Sequence, residues 1–150
     1  MTVLIDTGVL YADHDTDAER HEAARDVLDL VYDGTFGQPY ISDYIYDETV
    51  TLTLRRGSFE AAKQVGERLR GVDPYPETYN LLRVSDGRFA DAIDVFEQYD
   101  DQRLSFTDAT TVALSQHYGI DYVLTFDDDF DGIVSRIDPL EFEDREGSSL

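Results

Sequence analysis

Two aspartates directly follow apolar runs that are predicted to be strands. Asp6 comes after Thr2–Ile5, and Asp127 comes after residues 122–126. Because ligands bind beyond the carboxyl ends of the strands in a parallel sheet, we expect the two carboxylates to lie at the same edge. A single aspartate at a strand end is more often a turn or helix-cap residue. Two of them at corresponding ends indicate a site, since paired carboxylates beside an apolar core need a counter-charge.

Two further acids lie in predicted helices. Glu48 has an isoleucine three residues before it and a leucine four residues after it, so it lies on the apolar stripe of its helix. A glutamate there must be paired, protonated or bound to a metal. Asp47 is the alternative if the helix has the other phase. Asp108 falls in the first turn of its helix, where a carboxylate also stabilises the helix dipole without any ligand.

All four candidate residues offer oxygen atoms as ligands. The chain has no Cys, and the spacing of its three histidines (His14, His21 and His117) is not typical of zinc ligands. Hard oxygen donors without nitrogen or sulfur favour Mg²⁺ or Mn²⁺.

Short apolar runs alternate with amphipathic segments along the chain. The predicted strands are Thr2–Ile5, 39–41, 79–84 and 122–126, with a last extended piece at 137–142. The predicted helices run from a capping box at 16–19 to Gly34, from Ser42 to Arg56, over Phe59–Arg70, after Ser85, and over 107–118. This alternation predicts a single α/β domain with a central parallel sheet and helices on both faces, covering residues 1–145, with a frayed tail at 146–150.

The net charge of the chain indicates the salt concentration in which the protein functions. Asp and Glu number 33 against 12 Lys and Arg, for a formal net charge of -21, and the acids are scattered through every segment. This pattern is typical of a halophilic cytoplasmic protein, in which concentrated salt screens the repulsion. An acidic domain that binds a basic partner is the alternative. We expect no signal peptide, because the N-terminus lacks a basic region and a long apolar region. We expect no membrane span, because no apolar run approaches roughly 20 residues.

Four segments, taken in order, resemble the PIN-domain ribonucleases, especially the VapC-type toxins of toxin–antitoxin pairs. They are residues 3–7 (Val-Leu-Ile-Asp-Thr), 47–52 (Asp-Glu-Thr-Val-Thr-Leu), 104–109 (Leu-Ser-Phe-Thr-Asp-Ala) and 121–127 (Asp-Tyr-Val-Leu-Thr-Phe-Asp), with Phe130 three residues further on. No single segment is specific, but their order and spacing cover the chain from about residue 2 to residue 130. The fold that the resemblance implies is a three-layer α/β/α arrangement with a central parallel sheet.

The resemblance implies a metal-dependent endoribonuclease. The metal and catalytic residues that it implies are Asp6, Glu48, Asp108 and Asp127, which would hold one or two Mg²⁺ or Mn²⁺ ions against the scissile phosphate of RNA. The hydroxyls of Thr7 and Thr125 are expected to support this site, and Asp128 and Asp129 leave the position of the fourth acid open. Candidate contacts to the RNA backbone are Arg55, Arg56, Arg88 and Arg103. The expected partners are a small antitoxin and a second copy of the chain.

Two other functions stay open at this point. Asp127, Asp129, Asp131 and Gly132 match the opening of a calcium-binding EF-hand loop, with Asp138 at its twelfth position. That loop expects a glutamate at position twelve and flanking helices, whereas a β-rich run precedes this one and a proline follows it. The chain could also be a non-catalytic binding module with an acidic rim.

Overall fold

Five parallel strands form the central layer of the computed structural model, which describes residues 1–142. The strands are β1 (Thr2–Ile5), β2 (Gln38–Ser42), β3 (Asn80–Leu82), β4 (Tyr122–Leu124) and β5 (Arg136–Ile137). Their order in the sheet is β3-β2-β1-β4-β5, and every neighbouring pair is parallel. Since β1 lies in the middle, its side chains meet apolar neighbours on both faces, and Val3, Leu4 and Ile5 are fully buried.

Helices cover both faces of this sheet. In residues 1–142 they are α1 (Thr7–His14), α2 (His21–Tyr32), α3 (Asp43–Arg56), α4 (Phe59–Arg70), α5 (Asp86–Gln98) and α6 (Phe106–Tyr118). One apolar cluster joins the sheet to α1, α2, α3 and α4, and a second joins α5 to α6 around Phe130. The predicted α/β/α architecture is confirmed. None of the helices in the described part of the chain is long and apolar enough to cross a membrane.

The predicted ends of several helices are confirmed at the level of single hydrogen bonds. The Ser42 hydroxyl accepts a bond from the backbone N–H of Ile45 at 3.0 Å, and Ser58 caps α4 in the same way. Gly71 and Gly119 end α4 and α6 with φ of 70° and 64°. A glycine adopts this left-handed conformation without the steric cost of a Cβ atom.

The first helical region differs from the prediction. Helix α1 begins directly after Asp6 and was not expected, because five of its eight residues are buried and they leave no amphipathic period. The predicted capping box at 16–19 is wrong. Residues 16–20 instead form the connection between α1 and α2, and α2 begins at His21 after Arg20, with no side-chain cap.

The ends of three predicted strands also differ. β3 covers only the middle of the predicted 79–84, and β4 ends at Leu124 rather than at residue 126. The predicted extended piece at 137–142 is wrong beyond Ile137, because Pro139 begins a short 3₁₀ helix (Pro139–Phe142) and has no N–H to extend a strand. The predicted tail at 146–150 and the end of the predicted domain at 145 lie outside the described residues.

The order of the strands reverses its direction in the middle of the sheet. From β1 the chain builds outward through β2 to β3, and it then returns to the other side of β1 with β4 and β5. The direction of winding therefore reverses between β1 and β4. In open parallel sheets, ligands bind at such a reversal, beyond the carboxyl ends of the strands.

Candidate metal centre

Asp6 lies at this reversal, between the end of β1 and the start of α1. It is the N-cap of α1, and its Oδ1 accepts a hydrogen bond from the backbone N–H of Thr7 at 2.9 Å. The residue is only 8% exposed. Burial raises the pKa of Asp6 to about 7, against the lowering effect of its hydrogen bond with Thr125, and the charges of Asp108 and Glu48 raise it further.

A threonine hydroxyl joins Asp6 to the loop after β4. Thr125 Oγ1 donates to Asp6 Oδ2 at 2.7 Å and accepts a bond from the backbone N–H of Asp127 at 3.0 Å. Thr125 is fully buried. The two strand-end aspartates are therefore connected through one hydroxyl group.

Glu48 lies in the middle of α3 and is half-buried. Its charge contributes to the raised pKa of both Asp6 and Asp108, so the three carboxyl groups lie within electrostatic range of one another. Its neighbour Asp47 is exposed and accepts a bond from Thr51 Oγ1 on its own helix at 3.3 Å. The burial of the two residues agrees with the predicted helical phase, in which Glu48 and not Asp47 lies on the less exposed side of α3.

Asp108 both caps its helix and belongs to the acidic group. Its Oδ2 accepts a bond from the backbone N–H of Ser105 at 3.0 Å, and the Ser105 hydroxyl accepts one from the backbone N–H of Asp108. This capping box holds the carboxylate at the start of α6. Burial raises the pKa of Asp108 to about 6, against the effect of the Ser105 hydrogen bonds, and Asp127 and Glu48 add to the rise.

Three consecutive aspartates follow β4. Asp127 caps a short 3₁₀ helix (Asp128–Phe130), and its Oδ1 accepts a bond from the backbone N–H of Asp129 at 2.9 Å. One oxygen of each of Asp127, Asp128 and Asp129 lies within 4.8 Å of the others. In the described part of the chain, no group of three acids that includes Asp6, Glu48 or Asp108 is as tightly spaced. The charges of these acids raise the pKa of Asp6 and of Asp108. Within the described residues, however, no three of Asp6, Glu48, Asp108 and Asp127 have oxygens that all lie within 4.8 Å of one another.

The character of this site fits a hard divalent cation. Its donors are carboxylate and hydroxyl oxygens, which Mg²⁺ and Mn²⁺ prefer. The Thr7 hydroxyl, directly after Asp6, is buried and has no hydrogen-bond partner within residues 1–142. Carboxyl groups whose pKa is raised by burial and by each other gain stability when a cation offsets their repulsion.

The candidate RNA-binding arginines lie in different surroundings. Arg88 pairs with Asp91 at 2.9 Å, and Arg56 lies over the ring of Tyr11 at 5.2 Å from its centroid. Arg55 is exposed near the end of α3. Arg103 is exposed. The charge of Asp127 raises the pKa of Asp129 and the charge of Arg103 lowers it, so Arg103 lies within electrostatic range of the acidic loop.

The calcium-loop interpretation of residues 127–138 gains no support from the structure. The guanidinium of Arg136 lies 2.7 Å from Asp131 and 3.7 Å from Asp138, so two of the required ligand positions already have a partner. The strands β4 and β5 flank the loop, where an EF-hand has helices.

One residue near the acids was not predicted. The guanidinium of Arg20 lies over the ring of Phe126, 4.7 Å from its centroid, and Phe126 directly precedes Asp127. Nothing local in the sequence indicates this contact, because the two residues are far apart along the chain.

Comparison with known proteins identifies the family. The model of the PIN domain matches residues 3–134, and the chain therefore belongs to the PIN-domain family. No curated protein matches the sequence.

Solved structures of toxins share the fold. VapC20 of Mycobacterium tuberculosis, described as a toxin that cleaves the sarcin-ricin loop, is 25% identical with a TM-score of 0.74, over 88% of this chain and 96% of VapC20. A toxin–antitoxin complex from Klebsiella pneumoniae is 19% identical with a TM-score of 0.63, over 91% and 97% of the two chains. VapBC2 of Rickettsia felis, bound to a fragment of promoter DNA, is 8% identical with a TM-score of 0.68, over 92% and 98%. VapC toxins of the PIN-domain family are in general ribonucleases, and PIN nucleases typically use a divalent metal.

Proposed function

We propose that this chain is a divalent-metal-dependent endoribonuclease that hydrolyses phosphodiester bonds of RNA, and that it is the toxin of a VapC-type toxin–antitoxin pair. The observation that carries the proposal is the placement of Asp6 and Asp127 on either side of the strand reversal, joined through the hydroxyl of Thr125. Ligands bind at this position in open parallel sheets, and a buried carboxyl group there needs a cation or a proton.

Asp6, Glu48, Asp108 and Asp127 are the proposed ligands of Mg²⁺ or Mn²⁺, with Thr7 and Asp129 in support. A cation bound by them supplies a Lewis acid for the scissile phosphate and lowers the pKa of water. The close spacing of Asp127, Asp128 and Asp129 gives this loop more than one carboxylate to offer, so the fourth ligand comes from these three residues, with Asp127 preferred.

The remaining residues of the site hold the carboxylates in place. Thr125 fixes one oxygen of Asp6, and Thr7 N–H fixes the other. Ser105 fixes Asp108 through its backbone N–H. Because these donors act on the ionised form of each carboxyl group, they oppose the effect of burial and favour the charged state that binds a cation.

We also propose the partners and the surroundings of the protein. The complexes of similar fold contain antitoxins, which supports a small antitoxin for this chain. The family resemblance supports a homodimer. The net charge of -21 supports a cytoplasmic location in concentrated salt.

A comparison of two neighbouring variants on α3 tests the function. In Mn²⁺ and concentrated KCl, Glu48→Gln should lower the rate of cleavage of a labelled single-stranded RNA by at least roughly 100-fold, since even residues that only support metal ligands cost 10–100-fold. Asp47→Asn removes the same charge one residue away, on the exposed side of the helix, and should leave the rate within about twofold of wild type.

Addition of EDTA should abolish cleavage by wild type. A wild-type protein that cleaves equally well in EDTA, or a Glu48→Gln variant as active as Asp47→Asn, would contradict the proposed function. If the chain is instead a non-catalytic binding module, the wild-type protein will show no metal-dependent cleavage of RNA.

A further inference from the structure

Arg20 lies over an aromatic ring that adjoins the acidic loop in the sequence. Its guanidinium carbon lies 4.7 Å from the centroid of the Phe126 ring. Phe126 directly precedes Asp127, and its Cδ2 atom lies 3.9 Å from where a Cβ atom at Gly8 would be, in the first turn of α1. The ring is thus close to the backbone segments on which Asp6 and Asp127 lie, and Arg20 contacts this ring.

The charge of Arg20 is not neutralised by a carboxylate in the described part of the chain. Within residues 1–142 no Asp or Glu oxygen lies within salt-bridge distance of its guanidinium, whereas Arg68, Arg88 and Arg136 all have aspartate partners. Arg25, Arg55 and Arg103 likewise have no acidic partner within residues 1–142. The feature that distinguishes Arg20 is its position over Phe126, the residue directly before Asp127. The side chain of Arg20 is also exposed.

The stacked position of Arg20 suits an anion. A guanidinium over an aromatic ring keeps N–H donors that can bind two phosphate oxygens. The stacking also limits the rotamers of a long side chain, so less conformational entropy is lost when a phosphate binds.

The acidic site needs such a residue if it is to meet RNA. Binding of nucleic acid is driven mainly by Lys and Arg that neutralise phosphates, and a net charge of -21 opposes it. We propose that Arg20 binds a backbone phosphate of the RNA strand beside the metal-binding acids, and so positions the strand across them. This inference rests on the proposed ribonuclease function and adds a residue that recognises the substrate.

The competing role for Arg20 is structural, as a cover for the Phe126 ring. Arg20→Gln removes the charge. Arg25→Gln is the matched control, because Arg25 is an exposed arginine of α2 that makes no ring contact or ion pair within residues 1–142. Arg20→Lys keeps the positive charge but replaces the planar guanidinium with an ammonium group. Thermal unfolding of each variant shows whether the fold is retained.

The experiment measures Mn²⁺-dependent cleavage of a labelled single-stranded oligoribonucleotide at several KCl concentrations. Arg20→Gln should raise KM roughly tenfold with kcat within about twofold of wild type. It should also lower the slope of log(kcat/KM) against log[KCl] by about 0.7, the value for one phosphate contact to a single strand. Arg25→Gln should change neither quantity, and Arg20→Lys should keep most of the slope.

Two results overturn the inference. One is an Arg20→Gln variant whose KM and salt slope equal those of Arg25→Gln. The other is a variant that loses thermal stability and kcat while its KM and slope stay at the wild-type values, which is the signature of a structural role. If wild type itself shows no metal-dependent cleavage, the proposed function fails first, and this outcome is distinct from both.

Discussion

The hydroxyl of Thr125 donates a 2.7 Å hydrogen bond to Oδ2 of Asp6, and both residues are buried. The same hydroxyl accepts the backbone N–H of Asp127 at 3.0 Å. A side chain at the end of β4 therefore sets the orientation of an acid at the end of β1 and the start of the acidic loop. The sheet register that aligns Ile5 with Leu124 brings the two strand ends to this contact.

Thr125→Val should destabilise the protein. Valine has nearly the same shape, but it leaves the buried Asp6 carboxylate without a donor and the N–H of Asp127 without an acceptor. The expected loss in the free energy of unfolding is about 1–3 kcal/mol, measured by urea denaturation in EDTA. Thr125→Ser retains the hydroxyl and therefore both hydrogen bonds, so its free energy of unfolding should be closer to that of wild type. Equal losses for the two variants would show that packing, and not the hydroxyl, matters here.

Asp6→Asn should stabilise the protein at high pH when no divalent metal is present. The pKa of Asp6 rises from 3.8 to about 7 on folding. Between these values the folded state binds more protons than the unfolded state, so the contribution of Asp6 to stability decreases as the pH rises from about 4 to about 7 and stays low above that. Asparagine does not ionise and escapes this penalty.

The expected gain for Asp6→Asn is up to about 4 kcal/mol at pH 8 and close to zero near pH 4, on the order of 1.4 kcal/mol for each unit of pKa shift. Denaturation of both proteins across this pH range in EDTA and concentrated KCl measures it. Asp47→Asn, which removes an exposed charge, is the control and should show no such pH dependence. A variant that is less stable than wild type by the same amount at every pH would contradict the shifted pKa.

Concentrated salt should stabilise the fold. The net charge of -21 is spread over the chain, so the folded state brings like charges together. The screening length falls from about 10 Å at 0.1 M to about 3 Å at 1 M, and this weakens the repulsion. The melting temperature should rise continuously between 0.1 M and 2 M KCl. A melting temperature that is independent of KCl would remove the support for a halophilic protein.

The sequence predicts most of the fold, because local signals mark it. The apolar run of β1, the serines that cap α3 and α4, and the glycines after α4 and α6 lie where they were expected. Helix α1 was missed because it is packed between the sheet and α2 and α3, so that apolar residues appear on most of its surface. The end of the last strand was misplaced because its geometry depends on Pro139 and the adjoining 3₁₀ turn.

The sequence predicts less of the candidate site. The phase of α3 correctly separates Glu48 from Asp47, since helical periodicity alone decides it. The hydrogen bond between Thr125 and Asp6, and the position of Arg20 over Phe126, depend on tertiary packing between distant parts of the chain. No local pattern encodes such contacts, although Thr125 was a candidate through its position two residues before Asp127.

A titration with Mn²⁺, followed by thermal unfolding in 2 M KCl, tests most directly whether the four proposed acids form one cation site. At about 100 times the dissociation constant, Mn²⁺ should stabilise wild type by roughly 2.7 kcal/mol, which is about 5–10 °C in melting temperature for a domain of this size. Asp108→Asn should lose most of this shift, and the control Asp47→Asn should keep it. Absence of a shift in wild type, or a full shift in Asp108→Asn, would contradict the site.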